Sequence, residues 1–300
     1  MTTSNATAAS RDINFDAFRD PVLARELIAR IHELAGDRQI NLMEVCGTHT
    51  MSIGRYGFRS VMPAGVKLLS GPGCPVCVTA NHDIDHAIAL ARMDDAIITT
   101  FGDMMRVPGS STSLAQMKAA GRDIRIVYSP LDALDIAAAN PERQVIFMGV
   151  GFETTTPTIA ACILEAEARD LPNFSVYCAH KTTPAALRAI ANDPETRIDG
   201  FILPGHVSTI TGLAPYTFLV DEFQTPGVVT GFEPVDILEG VAELVRLVVS
   251  GKPAIENAYQ RGVSTDGNAV ARALVAQAFE PCDAEWRGLG TIPASGLRIR

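Results

Sequence analysis

Hydrophobic residues along the chain follow two periodicities, which predict short buried strands separated by amphipathic helices. The first helix is predicted over residues 20–36, where Leu23, Leu27, Ile31 and Leu34 recur at helical spacing and Gly36 ends the pattern. Apolar runs then predict strands, and helical patterns lie between them. The strands cover residues 40–45, 66–69, 96–100 and 124–128, and the helices residues 81–92, 113–120 and 131–139.

The same alternation continues in the second half of the chain. Strands are predicted over residues 144–150, 174–178, 200–203 and 227–230. One helix is predicted over residues 158–169, a second begins at residue 184, and a third follows the last of these strands and ends at about residue 249. Residues 254–259 and 268–279 are predicted to be helical, and residues 280–300 to be irregular. Strands that alternate with helices are typical of parallel sheets covered on both faces.

This pattern predicts an α/β fold with two similar Rossmann-like parallel-sheet domains that face a cleft. The segments KLLSGPGCPVCVT and GFILPGHVSTITG each contain an apolar strand, a Pro-Gly turn and a chemically reactive side chain. We therefore predict a first domain over residues 19–140 and a second over residues 141–250. A disordered lead-in is expected over residues 1–18, and a helical and irregular C-terminal part over residues 251–300.

Composition narrows the class of partner. The net charge is −9 and the sequence has no Lys/Arg cluster, which argues against nucleic acid or an anionic membrane. No apolar run approaches the ~20 residues of a membrane helix, and the polar N-terminus lacks the pattern of a signal peptide. Six cysteines in such a chain point to the reducing cytoplasm, and to metal or redox chemistry.

Polar and sulfur-bearing side chains follow many of the predicted strands. In open parallel sheets, ligands bind at the carboxyl ends of strands, so these residues are candidates for one site. Taken singly, each could instead be a helix cap or a surface residue. The candidates are Cys46, His49, Cys74, Cys77, Asp103, Glu153, Thr154, Thr155, Thr156, His180 and His206.

The C-x-x-C pair Cys74 and Cys77 is the strongest of these signals. Its spacing allows two sulfurs to bind one metal ion or to form a small disulfide. The turn lies before a predicted helix, whose N-terminus should lower the pKa of both thiols. A redox role alone would leave Cys46 unexplained.

The segment Gly149–Thr154 raises the alternative of a nucleotide site, because it follows a strand and opens a helix. However, a threonine replaces the third glycine of the dinucleotide fingerprint, and no acidic residue ends the next strand. A polar loop over residues 153–156 is the better interpretation, with N–H and hydroxyl donors that hold an anion or the backbone of a partner.

Four motifs together, MEVCGTHT, GPGCPVCVT, GFETTTPT and PGHVS, resemble the HypD family of nickel–iron hydrogenase maturation proteins. The resemblance spans residues 41–297. It implies a scaffold that assembles iron carrying cyanide and carbon monoxide, Fe(CN)2CO, with a small HypC-type chaperone and a HypE-type cyanide donor. It also implies that Cys46 holds the iron, with His49 beside it, and that Cys74 and Cys77 undergo thiol–disulfide change.

The sequence departs from the family in one respect. Family members continue past a WRGLG-x-IP-x-SGL segment into a cysteine-rich end that binds a 4Fe–4S cluster, whereas this sequence ends at Arg300 and has only Cys282 nearby. We therefore expect no such cluster in this chain. Two alternatives remain open, a stand-alone thiol–disulfide oxidoreductase and a zinc-binding interaction module.

Overall fold

The computed structural model describes residues 15–300 and contains two parallel sheets and one antiparallel hairpin. The strands are β1 Ile40–Glu44, β2 Val66–Ser70, β3 Ala96–Thr100, β4 Ile124–Ile126, β5 Gln144–Gly149, β6 Phe174–Cys178, β7 Gly200–Pro204, β8 Gly227–Thr230, β9 Ile255–Asn257, β10 Phe279–Trp286 and β11 Gly290–Ile299.

Helices connect these strands and cover the sheets. They are α1 Pro21–Ala35, α2 Gly47–Arg55, α3 Phe58–Val61, α4 Pro75–Val78, α5 Asn81–Ala91, α6 Leu114–Ala119, α7 Pro130–Ala138, α8 Thr156–Ala168, α9 Thr183–Ala191, α10 Gly205–Thr211, α11 Phe218–Asp221, α12 Pro234–Ser250 and α13 Ala269–Ala278. Short 3₁₀ helices cover Phe15–Arg19, Gly102–Arg106 and Ala214–Tyr216. No described helix has both the length and the apolar character needed to span a membrane.

Local signals explain why the predicted elements begin and end where they do. The Asp20 carboxylate accepts hydrogen bonds from the backbone N–H groups of Val22 and Leu23, and so caps α1. Gly36 follows the helix with a φ of 54°, a conformation that favours glycine. The buried side of α1 carries Leu27 and Ile31, as the helical spacing predicted.

The α/β fold with two parallel sheets is confirmed. The first sheet has the strand order β2-β1-β7-β8-β9, and the second has the order β4-β3-β5-β6. Every strand pair in both sheets is parallel. One apolar core packs the first sheet against α1 and α12, and two further cores cover the faces of the second sheet.

The sheets do not divide at the predicted boundary between residues 140 and 141. The chain starts the first sheet with β1 and β2, builds the whole second sheet, and returns with β7, β8 and β9. As a result β3 pairs with β5 across residue 140, and β1 pairs with β7. Hydrophobic periodicity identifies strands but carries no information on which strands pair, which is why the pattern placed the boundary there.

Two predictions for the C-terminal part, residues 251–300, are wrong. Residues 254–259 form no helix, because β9 adds to the edge of the first sheet beside β8. Residues 280–300 are not irregular, because β10 and β11 form an antiparallel hairpin that buries Trp286. Most of the expected lead-in, residues 1–14, lies outside the described residues, and Phe15–Arg19 is a 3₁₀ helix.

Candidate functional site

A cavity of about 280 Å³ lies where strands from both sheets end. The segment after β1 contributes Cys46 and Thr48, and the segment after β2 contributes Cys74. The loop after β5 contributes Thr154, and the start of α10, after β7, contributes His206. The structure therefore brings four of the predicted site residues to one cavity.

Cys46 occupies the buried side of this cavity, at the N-cap of α2. Its backbone N–H donates to Glu44 Oε2 at 3.1 Å. Burial raises the pKa of the Cys46 thiol, although the backbone N–H groups of Thr48 and His49 act in the opposite direction. The thiol is thus protonated in the free protein at neutral pH, and a metal ion must displace that proton to bind.

Glu44 is a site residue that the sequence analysis missed. Its carboxyl group is completely buried, and it accepts the Thr50 hydroxyl at 2.5 Å as well as the Cys46 N–H. Burial raises the pKa of Glu44. The signal was a single acidic residue at the end of the apolar strand β1, two residues before Cys46.

The turn that carries the cysteine pair lies directly against Cys46. Gly47 N–H donates to Gly73 O at 2.8 Å, and a Cβ added to Gly47 would lie 3.6 Å from Cys74 Cβ. The residue after Cys46 and the residue before Cys74 are therefore in backbone contact.

Cys74 and Cys77 differ in environment. Cys74 lies at the N-cap of the four-residue helix α4, and its Sγ accepts the Cys77 N–H at 3.3 Å. Cys77 is exposed, yet a side-chain hydrogen bond between the two thiols raises the pKa of the Cys77 thiol to about 11. The expectation that the turn lowers both thiol pKa values is wrong for Cys77, because the neighbouring sulfur outweighs the effect of the short helix.

His49 does not line the cavity, and its imidazole is fully buried. Nε2 lies 2.9 Å from Gly231 O and 2.8 Å from Thr230 Oγ1, whereas Nδ1 is buried and has no hydrogen-bond partner among the described residues. Burial lowers the pKa of His49 to about 4, so the ring is neutral at pH 7.

Phe232, which the sequence analysis missed, joins the two histidines. Its ring stacks on His206 with a centroid separation of 3.8 Å and on His49 at 4.6 Å. His206 is exposed and lines the cavity, and its pKa is lowered by partial burial. Phe232 follows β8, so a fourth strand of the first sheet supports the site, after β1, β2 and β7.

The structure places the other predicted residues elsewhere. Asp103 is exposed in the 3₁₀ helix after β3 and does not line the cavity. Glu153 accepts hydrogen bonds from Thr183 N and Thr183 Oγ1 at 2.8 and 3.0 Å, which caps α9. Glu153 lines a separate cavity of about 300 Å³ beside α13 and the hairpin.

The threonines of this loop share one acceptor. Thr155 and Thr156 donate their hydroxyls to Phe152 O at 3.1 and 2.8 Å. The predicted hydroxyl donors are therefore used within the loop, and Thr154 is the member that faces the cavity. His180, the remaining candidate, is buried against Cys178, with Nδ1 3.1 Å from its Sγ.

The C-terminal hairpin packs against the segments that form the site. Trp286 shares an apolar cluster with Val78, Phe152 and Val207, which lie in the segments that follow β2, β5 and β7. The indole stacks on Phe152 at 5.8 Å and donates Nε1–H to Ser295 Oγ at 2.8 Å. Trp286 lies in the segment WRGLG-x-IP-x-SGL, which the sequence analysis predicted to be irregular.

Within residues 15–300, no three His, Cys, Asp or Glu side chains are grouped so that they could hold a metal ion. Cys46, Cys74 and His206 line the cavity and carry side chains that can bind a metal ion, but they do not form such a group. A metal ion bound there would need ligands from outside the described chain.

Comparison with known proteins places the chain among hydrogenase maturation proteins. The family model HypD, described as "Hydrogenase formation hypA family", matches residues 22–300. The hydrogenase maturation factor HypD of Rhodobacter capsulatus is 50% identical over 290 residues, which cover 94% of this chain and 77% of that protein.

Two further relatives agree with this match. The HypD of Rhizobium leguminosarum bv. viciae is 49% identical over 294 residues, or 95% of this chain and 76% of the relative. The HypD of Escherichia coli K12 is 44% identical over 293 residues, or 95% of this chain and 78% of the relative.

Proposed function

The chain belongs to the HypD family of hydrogenase maturation factors, and we propose that it is a scaffold on which the Fe(CN)2CO unit of nickel–iron hydrogenases is assembled. In this proposal the iron unit is cargo that passes through the protein. The cavity that contains Cys46, Cys74, Thr154 and His206 is the assembly site, and this shared cavity is the observation that carries the proposal.

Cys46 is the proposed iron ligand. Thiolate is a soft donor that suits low-spin iron, and the buried position of this sulfur shields cyanide and carbon monoxide ligands from solvent. Because burial raises the pKa of the thiol, iron binding releases its proton, and loading should be favoured as pH rises. Thr154 and His206 supply polar groups at the same cavity.

A partner must complete the coordination of the iron. The described residues hold no group of three ligands, which fits a site shared with the cysteine of a small HypC-type chaperone. A HypE-type protein would deliver cyanide to the same cavity. His49, expected beside the iron, acts indirectly in this proposal, because its ring contacts Phe232 and stays outside the cavity wall.

Cys74 and Cys77 are the proposed redox pair. Oxidation of the two thiols to a disulfide releases two electrons and two protons, and the exposed Cys77 sulfur can meet an external thiol or disulfide. Such a pair is maintained in a reducing compartment, so we place the protein in the cytoplasm. The absence of a 4Fe–4S cluster stays a prediction.

A stand-alone thiol–disulfide oxidoreductase is the second candidate, favoured by the hydrogen-bonded contact between the two cysteines and the exposure of Cys77. That activity would require neither Cys46 nor an iron cargo. Nothing in residues 15–300 favours a zinc-binding module, since structural zinc sites use four protein ligands and no group of three is found there.

Infrared spectroscopy of the chain co-produced with its HypC-type partner tests the proposal. We expect cyanide and carbon monoxide bands in the wild-type complex and their loss in Cys46→Ala. Cys282→Ala is the matched control, because Cys282 lies on β10 away from the cavity, and it should keep the bands. Bands of full intensity in Cys46→Ala would reject Cys46 as the ligand and the cavity as the site.

A further inference from the structure

The turn of the C-terminal hairpin is attached to the cysteine pair through the backbone. Arg287 N–H donates to Val78 O at 2.9 Å, and Trp286 forms an antiparallel bridge with Thr79. Val78 and Thr79 directly follow Cys77. Arg287 is thus held at the C-terminal end of the turn that carries both thiols.

The Arg287 side chain is incompletely paired. One guanidinium nitrogen, Nη2, donates to Pro108 O at 3.3 Å, whereas Nε is buried and has no hydrogen-bond partner within residues 15–300. Arg287 forms no ion pair with any residue of the described chain. An unpaired, partly buried cation carries an energetic cost, which an adjacent anion would offset.

We infer that Arg287 is a positioning residue for the thiol pair, which fixes the turn through its backbone and stabilises the Cys77 thiolate through its guanidinium charge. This inference rests on the redox role proposed for Cys74 and Cys77. In this inference, the segment WRGLG-x-IP-x-SGL positions the positive charge of Arg287 beside the cysteine turn.

Arg287 is the cation that acts on the Cys77 thiol, because the other charged groups near the turn contact one another. On α5, His82 lies 3.3 Å from Asp83, and it also lies 3.2 Å from Glu285 of β10, so these groups face one another. Cys74 and Arg287 are the ionisable groups that act on Cys77. Cys74 raises the Cys77 pKa, and Arg287 lowers it. Removal of the arginine charge therefore leaves the effect of Cys74 unopposed.

The pH dependence of iodoacetamide alkylation at Cys77, followed by peptide mass spectrometry on the full chain, tests the inference. In Arg287→Gln we expect the alkylation midpoint to move to higher pH. For each unit of that shift the rate below the midpoint should fall about threefold, because a more basic thiolate is also more nucleophilic. Arg287→Lys keeps the charge and should restore most of the wild-type profile.

Arg298→Gln is the matched control, since Arg298 lies on the same hairpin and is ion-paired with Glu280 instead. It should leave the profile unchanged. An unshifted midpoint in Arg287→Gln, or an equal shift in Arg287→Lys, overturns the inference. If Arg287→Gln does not fold, the alkylation midpoint of the wild-type protein is measured in high salt instead. Salt screens the guanidinium charge and should raise this midpoint, and an unchanged midpoint would refute the charge effect. Iron plays no part in this assay, so failure of the scaffold proposal would not alter its result.

Discussion

Gly73 and Cys46 are in direct backbone contact, and this contact joins the cysteine turn to the proposed iron ligand. A Cβ added to Gly73 would lie 2.2 Å from Cys46 N and 2.4 Å from Cys46 Cα, which no side chain can tolerate without a backbone shift. We therefore expect Gly73→Ala to lower the free energy of unfolding by about 1–3 kcal/mol and to separate Cys74 from Cys46. Urea denaturation measures the first effect.

Gly54→Ala is the control for this variant. Gly54 lies inside α2, and a Cβ there would meet no heavy atom within 4 Å. Alanine in an open helix position should stabilise the protein by about 0.5–1 kcal/mol. Equal stability of the two alanine variants would contradict the close approach of Gly73.

Removal of the Cys74 sulfur should make Cys77 more reactive. The side-chain hydrogen bond with the Cys74 thiol is the main cause of the raised Cys77 pKa, so Cys74→Ala should lower that pKa from about 11. We expect faster alkylation of Cys77 by iodoacetamide at pH 8, by roughly threefold for each unit of pKa change. Slower alkylation than in the wild type would show that Cys74 instead activates Cys77.

Glu153→Gln should change the pH dependence of stability. The pKa of Glu153 is raised by burial from its ordinary value of 4.5 to about 7. The folded state therefore binds this proton more tightly, and the stability from that proton is fully present below pH 4.5 and is lost as pH rises through 7. The loss amounts to about 3 kcal/mol at most.

Thermal or urea unfolding at several pH values between 4.5 and 8 checks this prediction. As pH rises, the free energy of unfolding of the wild type should fall relative to that of Glu153→Gln, because only the wild type loses the Glu153 proton. Glu142→Gln, at an exposed site, should follow the wild type at every pH. A constant difference between wild type and Glu153→Gln would mean that Glu153 is already ionised at pH 5.

Ser295→Ala should weaken the support beneath the site. The Ser295 hydroxyl accepts Trp286 Nε1–H at 2.8 Å and donates to Ile292 O at 2.7 Å, and both side chains are buried. Loss of the hydroxyl leaves the indole N–H without a partner, so we expect a loss of about 1–3 kcal/mol in urea denaturation. Ser264→Ala, at an exposed serine, should change stability by less than about 0.5 kcal/mol. Similar stabilities of the two variants would contradict a supporting role for this hydrogen bond.

Local pattern was sufficient for most of the individual elements. The apolar spacing of Leu27 and Ile31, together with the cap at Asp20 and Gly36, defines α1 within one residue at each end. The hairpin was missed although its signal was present. Cys282, Ala284 and Trp286 alternate with more exposed residues along β10, which is the period of two expected for a strand.

The site was predictable in part, because local pattern identifies where strands end. The residues that end β1, β2, β5 and β7 could be recognised as candidates, and Cys46, Cys74, Thr154 and His206 do share a cavity. Asp103 and Glu153 end strands as well, yet they lie elsewhere, since the direction of a side chain after a strand depends on the turn that follows. Glu44 had a local signal, an acidic residue in an apolar strand, but its burial depends on the folded core. Phe232 acts through its contacts with His49 and His206, which are distant in sequence and which no local pattern reveals.

The order of residues by itself determined the alternation of strands and helices, the motifs of the family and the cysteines available for chemistry. The tertiary structure alone decided which strand ends meet. Leu42 of β1 pairs with Gly200 of β7, more than 150 residues later, so the segments after the two strands come together at one edge. Side-chain periodicity depends on neighbours along the chain, whereas parallel pairing depends on the cores that form once distant elements pack together.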